Sequence, residues 1–466
     1  MLTYNKRKRG EGMNRHTQLS KETAAGKQRP DKLLPTSLRA IATKAKSDKK
    51  HRFGGLYSLL NTSNLKAAYY EINPKAAAGI DEIDHTKFGK NLTSHVAELV
   101  SELKEKRYHA KLIRRKHIPK GPNTTRPLGI PSIRDKLPQR VAASILEAIY
   151  EQDFYDFSNA YRPHRDQRKA VRQLRDTFMS KHISWVVEID IKSFYDKLDH
   201  EWMLRMVEQR VSDRAFLNLI GKWLRAGIME EEGLVVHPAT GTPQGGIVSC
   251  VLANIYLHYV LDSWFEKQFK ATCKGDAYLH RYADDTVAVF QYHGEAVRYF
   301  KEVQERLRKF GLDIAPEKSF KKLFSRFRKR DSERFDFLGF EFRWGKTRNG
   351  VDTIKLRTSR KKLRKSLLEF KEWMREHRNK RLRWIFDKVK SKLLGYYNYY
   401  GVTNNNPSLV TVRKEVINLI CYWLNRRSQR KSYNRYQFKQ MFEHYSLPWP
   451  KVVWILWSDQ LELDLA

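Results

Sequence analysis

Two adjacent acids constrain this chain more than any other feature. Asp284 and Asp285 sit between β-prone runs, Ala277-Tyr278-Leu279 before them and Val287-Ala288-Val289-Phe290 after. Such flanks predict a β-hairpin with the acids at or near its tip. Neighbouring side chains of a regular strand point to opposite faces, so both carboxylates can share one ion only where the strand turns. On its own, an acidic pair of this kind also reads as an ordinary solvated turn. A third carboxylate upstream changes the balance. Asp190 interrupts the apolar run Val186, Val187, Ile189 and Ile191, which predicts a strand with an acid at its end. Three carboxylates on two neighbouring strands could hold a pair of Mg²⁺ ions roughly 3.5–4 Å apart, with Mn²⁺ as a substitute.

Composition supports a large polyanion as partner. The chain has 466 residues, of which 41% are hydrophobic and 12% aromatic, enough for two or three packed units. Its formal net charge of +38 favours nucleic acid over a membrane surface. Cys250, Cys273 and Cys421 form no CxxC pair, and they read as buried thiols of a reducing compartment. No apolar run approaches the ~20 residues of a membrane span, and the N-terminus lacks a secretory apolar core.

Three boxes then occur in a telling order: the Asp190 strand, the loop Gly241-Thr242-Pro243-Gln244-Gly245-Gly246, and Tyr282-Ala283-Asp284-Asp285. Together they resemble a reverse transcriptase of the group II intron-encoded, or maturase, type, and the resemblance runs from about residue 56 to 450. It implies an α+β fold: a right-hand polymerase with fingers, a palm built on an antiparallel sheet, and a following α-helical thumb or maturase domain. The corresponding divisions are a basic N-terminal arm over 1–52, fingers over 53–180, palm over 181–345, and thumb with C-terminal tail over 346–466. The implied activity is RNA-directed DNA synthesis with two Mg²⁺ ions on Asp190, Asp284 and Asp285 and on the carbonyl of Ile191. The implied partners are an RNA template with its DNA primer, deoxynucleoside triphosphates and a structured intron RNA whose splicing the protein assists, with a DNA target also open. A prokaryotic, cytoplasmic nucleoprotein is the expected setting, with an organellar one left open. No Cys/His-rich nuclease module follows the thumb segment. A domesticated relative in phage defence or a CRISPR-linked role is an alternative, as is a splicing factor with an idle polymerase site.

Further residues take roles from pattern and resemblance together. The segments 114–120 and 126–131 predict a hairpin carrying Lys120 and Arg126, which either face an incoming triphosphate or simply coat an exposed hairpin. The resemblance places Tyr195 under the sugar of the incoming nucleotide, where its ring would exclude a 2′-hydroxyl; packing beside Phe194 in the core is the plainer reading. Gln244, in the glycine-rich loop, could hydrogen-bond the nucleotide. Asp196 and Asp199 read as structural or capping acids. The box Ser158–Pro163 carries Ala160-Tyr161 where the family has Gly-Phe, and its Arg162 reads as a template or structural contact. Arg162 and Lys318 are the expected RNA or primer contacts of the fingers and palm. An apolar helix is expected from Val248 to about Phe265, and residues 335–342 alternate as one strand. Beyond Lys346 cations crowd helix-forming sequence, and Arg360, Lys361, Arg364 and Lys365 suit either RNA phosphates or a solvated bundle face.

Overall fold

A computed structural model describes residues 36–121, 124–237, 239–242, 245–328, 330–429 and 432–456. They belong to two units, Leu34–Ser359 and one containing Arg360–Ala466. In chain order the strands are β1 (Ile113–Gly121), β2 (Thr124–Ile130), β3 (Trp185–Ile189), β4 (Ile228–Met229), β5 (Val235–Val236), β6 (Ala277–Tyr282), β7 (Asp285–Phe290), β8 (Phe320–Leu323), β9 (Phe335–Phe337), β10 (Phe340–Lys346) and β11 (Asp352–Thr358).

The central sheet of the first unit has the order β6-β7-β3-β8 and is antiparallel throughout. Side-chain alternation sends Val187 and Ile189 of β3, Leu279 of β6 and Ala288 and Phe290 of β7 into one core. Helix His293–Arg308 packs there through Tyr299, Val303 and Leu307, all fully buried. Phe265, Phe269, Phe290 and Tyr299 form an aromatic cluster, with the Phe269 and Tyr299 centroids 5.3 Å apart. Each such ring contributes about 1.5–3 kcal/mol through burial. Helix Ile133–Tyr150 runs through the same core, its start capped by Ser132, whose Oγ accepts from the Asp135 amide at 3.1 Å.

A second sheet, β2-β1-β4-β5, holds the expected hairpin, with Ile118 opposite Arg126. The third, β11-β10-β9, corrects one expectation. Residues 335–342 are two strands joined by Leu338-Gly339, both at positive φ (49° and 81°), with Phe337 opposite Phe340. A two-residue turn with both residues left-handed is the hairpin geometry that follows strand twist. Phe335, Phe337, Phe340 and Phe342 are all buried, so the apolar pattern continued across the turn and hid it. Because β11 pairs with β10, this hairpin stays with the first compact unit, which runs to Ser359. At the other end, helix Thr36–Ser47 lies inside the stretch expected as a basic arm. Its Ala45 is fully buried and Leu38 and Ile41 pack on the core, a stripe at helical spacing hidden among lysines.

The apolar helix expected over 248–265 is α-helical only over Ser249–Leu257. It continues in wider π-type turns at His258–Asp262 and Phe265–Phe269.

The second unit is helical among its described residues: Arg360–His377, Leu382–Tyr400, Asn406–Leu424 and Arg435–Tyr445. Ile385, Phe386, Val389, Leu393 and Tyr397 line one face of the second of these and meet Leu409, Val412, Val416 and Ile420 of the third. Asn434 and Gln437 close a capping box on the last helix, each bond 2.9 Å.

Candidate active site

The acidic hairpin forms as the sequence predicts. Tyr282 pairs with Asp285 across a two-residue turn, Ala283-Asp284, and Ala283 takes φ 58°. A non-glycine residue there carries about 1–2 kcal/mol of strain, so something must hold it. Strand β3 lies antiparallel to β7 with Ile189 opposite Thr286, so Asp190 falls at the next position, level with Asp285. Thr286 Oγ1 ties the two strands by donating to the Ile189 carbonyl at 3.0 Å. On the other side, the Asp190 amide donates to Ser319 Oγ at 3.1 Å, and the Ala315 amide donates to the Asp190 carbonyl at 2.8 Å. Ile191 is buried and bridges Ile314.

Negative charge is concentrated along this edge. Glu188 shares a face with Asp190. Burial pushes its carboxyl up to about 8, with Asp285, Asp336 and Asp190 adding in the same direction. The Lys318 ammonium lies 3.4 Å from Asp190 Oδ1 and offsets part of that charge. Carboxylates and carbonyls are the hard oxygen donors that Mg²⁺ takes, and a set of acids under mutual repulsion suits a divalent cation. Among the described residues, though, no three His, Cys, Asp or Glu side chains converge as a ready cage.

Tyr195 belongs to a 3₁₀ turn, Phe194–Asp196, entered through Ser193 at φ 49°. Its ring meets Phe194 edge-on at 5.4 Å and packs partly on the core. Burial raises its phenol above the ordinary value, with Tyr161 and Asp284 among the neighbours that add to the rise. The glycine-rich loop is tied to this turn. The Thr242 amide donates to the Tyr195 carbonyl at 2.8 Å and the Gly241 amide to the Leu198 carbonyl at 2.7 Å. Gly241, at φ 93°, leaves no space for a Cβ, which would lie 2.9 Å from the Asp196 carbonyl. Its glycine thus serves an approach of backbone to backbone within the protein. Gln244 lies outside the described residues, as does the side chain of Lys120. Arg126 is exposed on β2 and near enough to Tyr161 to oppose the burial-driven rise of that phenol. Asp199 caps helix His200–Glu208, accepting from the Trp202 amide at 2.8 Å.

Arg162 is enclosed. It is 7% exposed, and its Nε and Nη2 donate to the Glu151 carboxylate at 3.0–3.1 Å. Its Nη1 donates to the Tyr155 and Ser158 carbonyls at 2.7 and 2.6 Å. A guanidinium so occupied is a buried clamp, which fits the structural of its two readings. Arg360, Lys361 and Arg364 are exposed on the first turns of the second unit's leading helix, and Lys365 is half-buried, 3.6 Å from Glu369.

Two features escaped the sequence reading. Tyr161 stands exposed at φ 56° beside Tyr195, signalled only by the departure from Gly-Phe. Arg281 and Asp262 are both 0% exposed and pair through two bonds, Nε to Oδ1 at 2.8 Å and Nη2 to Oδ2 at 2.6 Å. No local signal couples a π turn to a strand. The Cys250 thiol, pushed up to about 11 by burial, is no nucleophile.

Residues 118–342, which contain the acids, both flanking strands and the glycine-rich loop, match the family Reverse transcriptase (RNA-dependent DNA polymerase). Relatives extend this to intron proteins. Group II intron-encoded protein LtrA of Lactococcus lactis subsp. cremoris is 39% identical over 165 residues, 35% of this chain and 27% of that protein. Over this stretch the chain is similar to reverse transcriptases, and its relatives include a group II intron-encoded protein and an intron maturase. Protein YkfC of Escherichia coli (strain K12) is 34% identical over 228 residues, 47% of this chain and 59% of that protein. Nuclear intron maturase 4, mitochondrial, of Arabidopsis thaliana is 25% identical over 130 residues, 28% of this chain and 16% of that protein. The chain spans less than two thirds of the length of each of these relatives. The mixed α/β content of the first unit, with its antiparallel central sheet, fits a polymerase fold. No described helix is long and apolar enough to cross a membrane.

Proposed function

We propose that the protein is an RNA-directed DNA polymerase that extends a primer on an RNA template and also binds an intron RNA to assist its splicing. The observation that carries the polymerase reading is the placement of Asp190 level with Asp285 on neighbouring antiparallel strands, with Asp284 in the adjoining turn. On this reading the first unit carries fingers and palm, and the helices from Arg360 form the thumb. Asp190, Asp284 and Asp285 would hold divalent cations, with the Ile191 carbonyl as a further donor. A divalent cation bound there would supply charge neutralisation at the triphosphate and a lowered pKa of the primer hydroxyl. Arg126, exposed on β2, offers a fork of donors for phosphate oxygens. The Tyr195 ring, braced by Phe194, presents a rigid wall against the 2′ position of a sugar. Lys318 holds Asp190 from the other side and would be a primer-side cation.

The test is primer extension on an RNA template with Mg²⁺, comparing wild type with Asp284→Asn. Loss of one ligand removes several kcal/mol of transition-state stabilisation, at least about a hundredfold in kcat. A folded wild-type protein that extends no primer, yet promotes splicing of a flanking intron, would establish the idle-site reading instead. The splicing part rests on similarity to intron-encoded proteins and on the exposed cations at Arg360, Lys361 and Arg364.

A further inference from the structure

The Arg281 guanidinium does more than neutralise Asp262. Its Nη1 also donates to Asn254 Oδ1 at 2.9 Å and to the Ala283 carbonyl at 3.1 Å. Ala283 is the left-handed residue of the acidic turn, next to Asp284. Asn254, 1% exposed, donates in turn to the Ala160 carbonyl at 2.8 Å. The Arg281 backbone is held as firmly: its amide donates to the Phe157 carbonyl, and its carbonyl accepts from the Asn159 amide, each at 3.0 Å. One fully buried side chain thus ties the acidic turn to the helix Ser249–Leu257, and to the π turn that carries Asp262.

We infer that the Arg281–Asp262 pair is a positioning device for cation binding, holding the strained turn so that Asp284 and Asp285 present their carboxylates together. This rests on the reading of those acids as divalent-cation ligands given above. A purely structural pair would need only the Asp262 bonds. The contact with the Ala283 carbonyl is the one that a positioning role requires. It sits at the peptide whose left-handed geometry would otherwise relax. A buried ion pair is often replaceable by apolar residues without loss of stability, so fold and position can be separated experimentally.

The experiment replaces both partners at once, Arg281→Met with Asp262→Leu, which leaves no unpaired charge in the core. Mn²⁺ binding is titrated by electron paramagnetic resonance, and the Mg²⁺ dependence of primer extension is measured in parallel. The variant is expected to melt cooperatively, to bind Mn²⁺ about tenfold more weakly, and to reach half-maximal extension at about tenfold higher Mg²⁺. That factor is what a lost hydrogen bond from a charged donor typically carries. A folded variant with wild-type Mn²⁺ affinity and wild-type Mg²⁺ dependence overturns the inference. If the double variant does not fold, Arg281→Lys carries the test. It keeps a charge facing Asp262, but a single ammonium cannot reproduce the planar fork that spans Asp262, Asn254 and the Ala283 carbonyl. Its expected shift is in the same direction. Asp284→Asn separates the positioning role from the assignment of the acids as ligands. If Asp284→Asn weakens Mn²⁺ binding and the paired variant does not, only the positioning role falls. If neither Asp284→Asn nor the paired variant alters Mn²⁺ binding, the acids are not the ligands and both readings fall.

Discussion

Arg162→Met should cost stability and leave RNA affinity alone. The guanidinium donates to Glu151 from Nε and Nη2 at 3.0–3.1 Å, and it satisfies two backbone carbonyls at 2.6–2.7 Å. Methionine keeps part of the stem's packing but removes every donor. The Arg162 side chain is 2% exposed and that of Glu151 20%, so the orphaned carboxylate recovers some hydration. Breaking a buried pair from one side costs about 3–5 kcal/mol, and that hydration places this case near 3 kcal/mol. In a unit of this size roughly 2 °C is lost per kcal/mol, which gives a fall in Tm of about 6 °C. Urea and thermal melts measure it, alongside binding of a labelled RNA over a salt series. A variant that melts like wild type but binds RNA more weakly would rule out the clamp and place Arg162 at the primer.

Three further outcomes are expected. Tyr195→Ala should raise ribonucleotide insertion relative to deoxynucleotide insertion by at least about tenfold, the scale of ~1.4 kcal/mol in discrimination; unchanged single-nucleotide insertion ratios would return Tyr195 to the core. Replacing Arg360, Lys361, Arg364 and Lys365 together by glutamine should flatten the salt dependence of RNA binding by about two in log–log slope, at ~0.7 per single-strand phosphate contact and with Lys365 contributing least. An unaltered slope would make those cations a solvated face. His258 and His280 are buried, and burial pushes each pKa down to about 3 from an unfolded value near 6.5. Both therefore remain neutral in the fold while the unfolded chain takes up protons, so their contribution is present above pH 6.5 and is lost as pH falls toward 3. By pH 5 the loss is about 2 kcal/mol per histidine, and His280→Gln should flatten the urea midpoint against pH over that range.

Much of the candidate site was legible because its signals are local. A strand with an acid at its end, a hairpin whose tip carries two acids, and a capping Asp199 each depend on neighbours within a few residues. The misread elements share a different cause. Phe335–Phe342 looked like one strand because two left-handed turn residues, one of them leucine, interrupted the pattern without a usual turn signal. Helix Thr36–Ser47 was concealed because its short apolar stripe is outnumbered by charge. Arg162 was ambiguous because an arginine in a loop looks the same whether it faces a nucleic acid or a buried glutamate.

The chain's charge, its three acids and their order along the backbone are written in the sequence, and with them the resemblance to reverse transcriptases. Chemistry of that kind resides in residue identity and short spacing. Which acids lie level with one another, the stand of Lys318 against Asp190, and the reach of Arg281 to the turn beside its partner on a π-helical segment emerge only in three dimensions. Antiparallel register and a buried ion pair join residues far apart in the chain, and such pairings are set by what the core can pack and what its buried charges can reach.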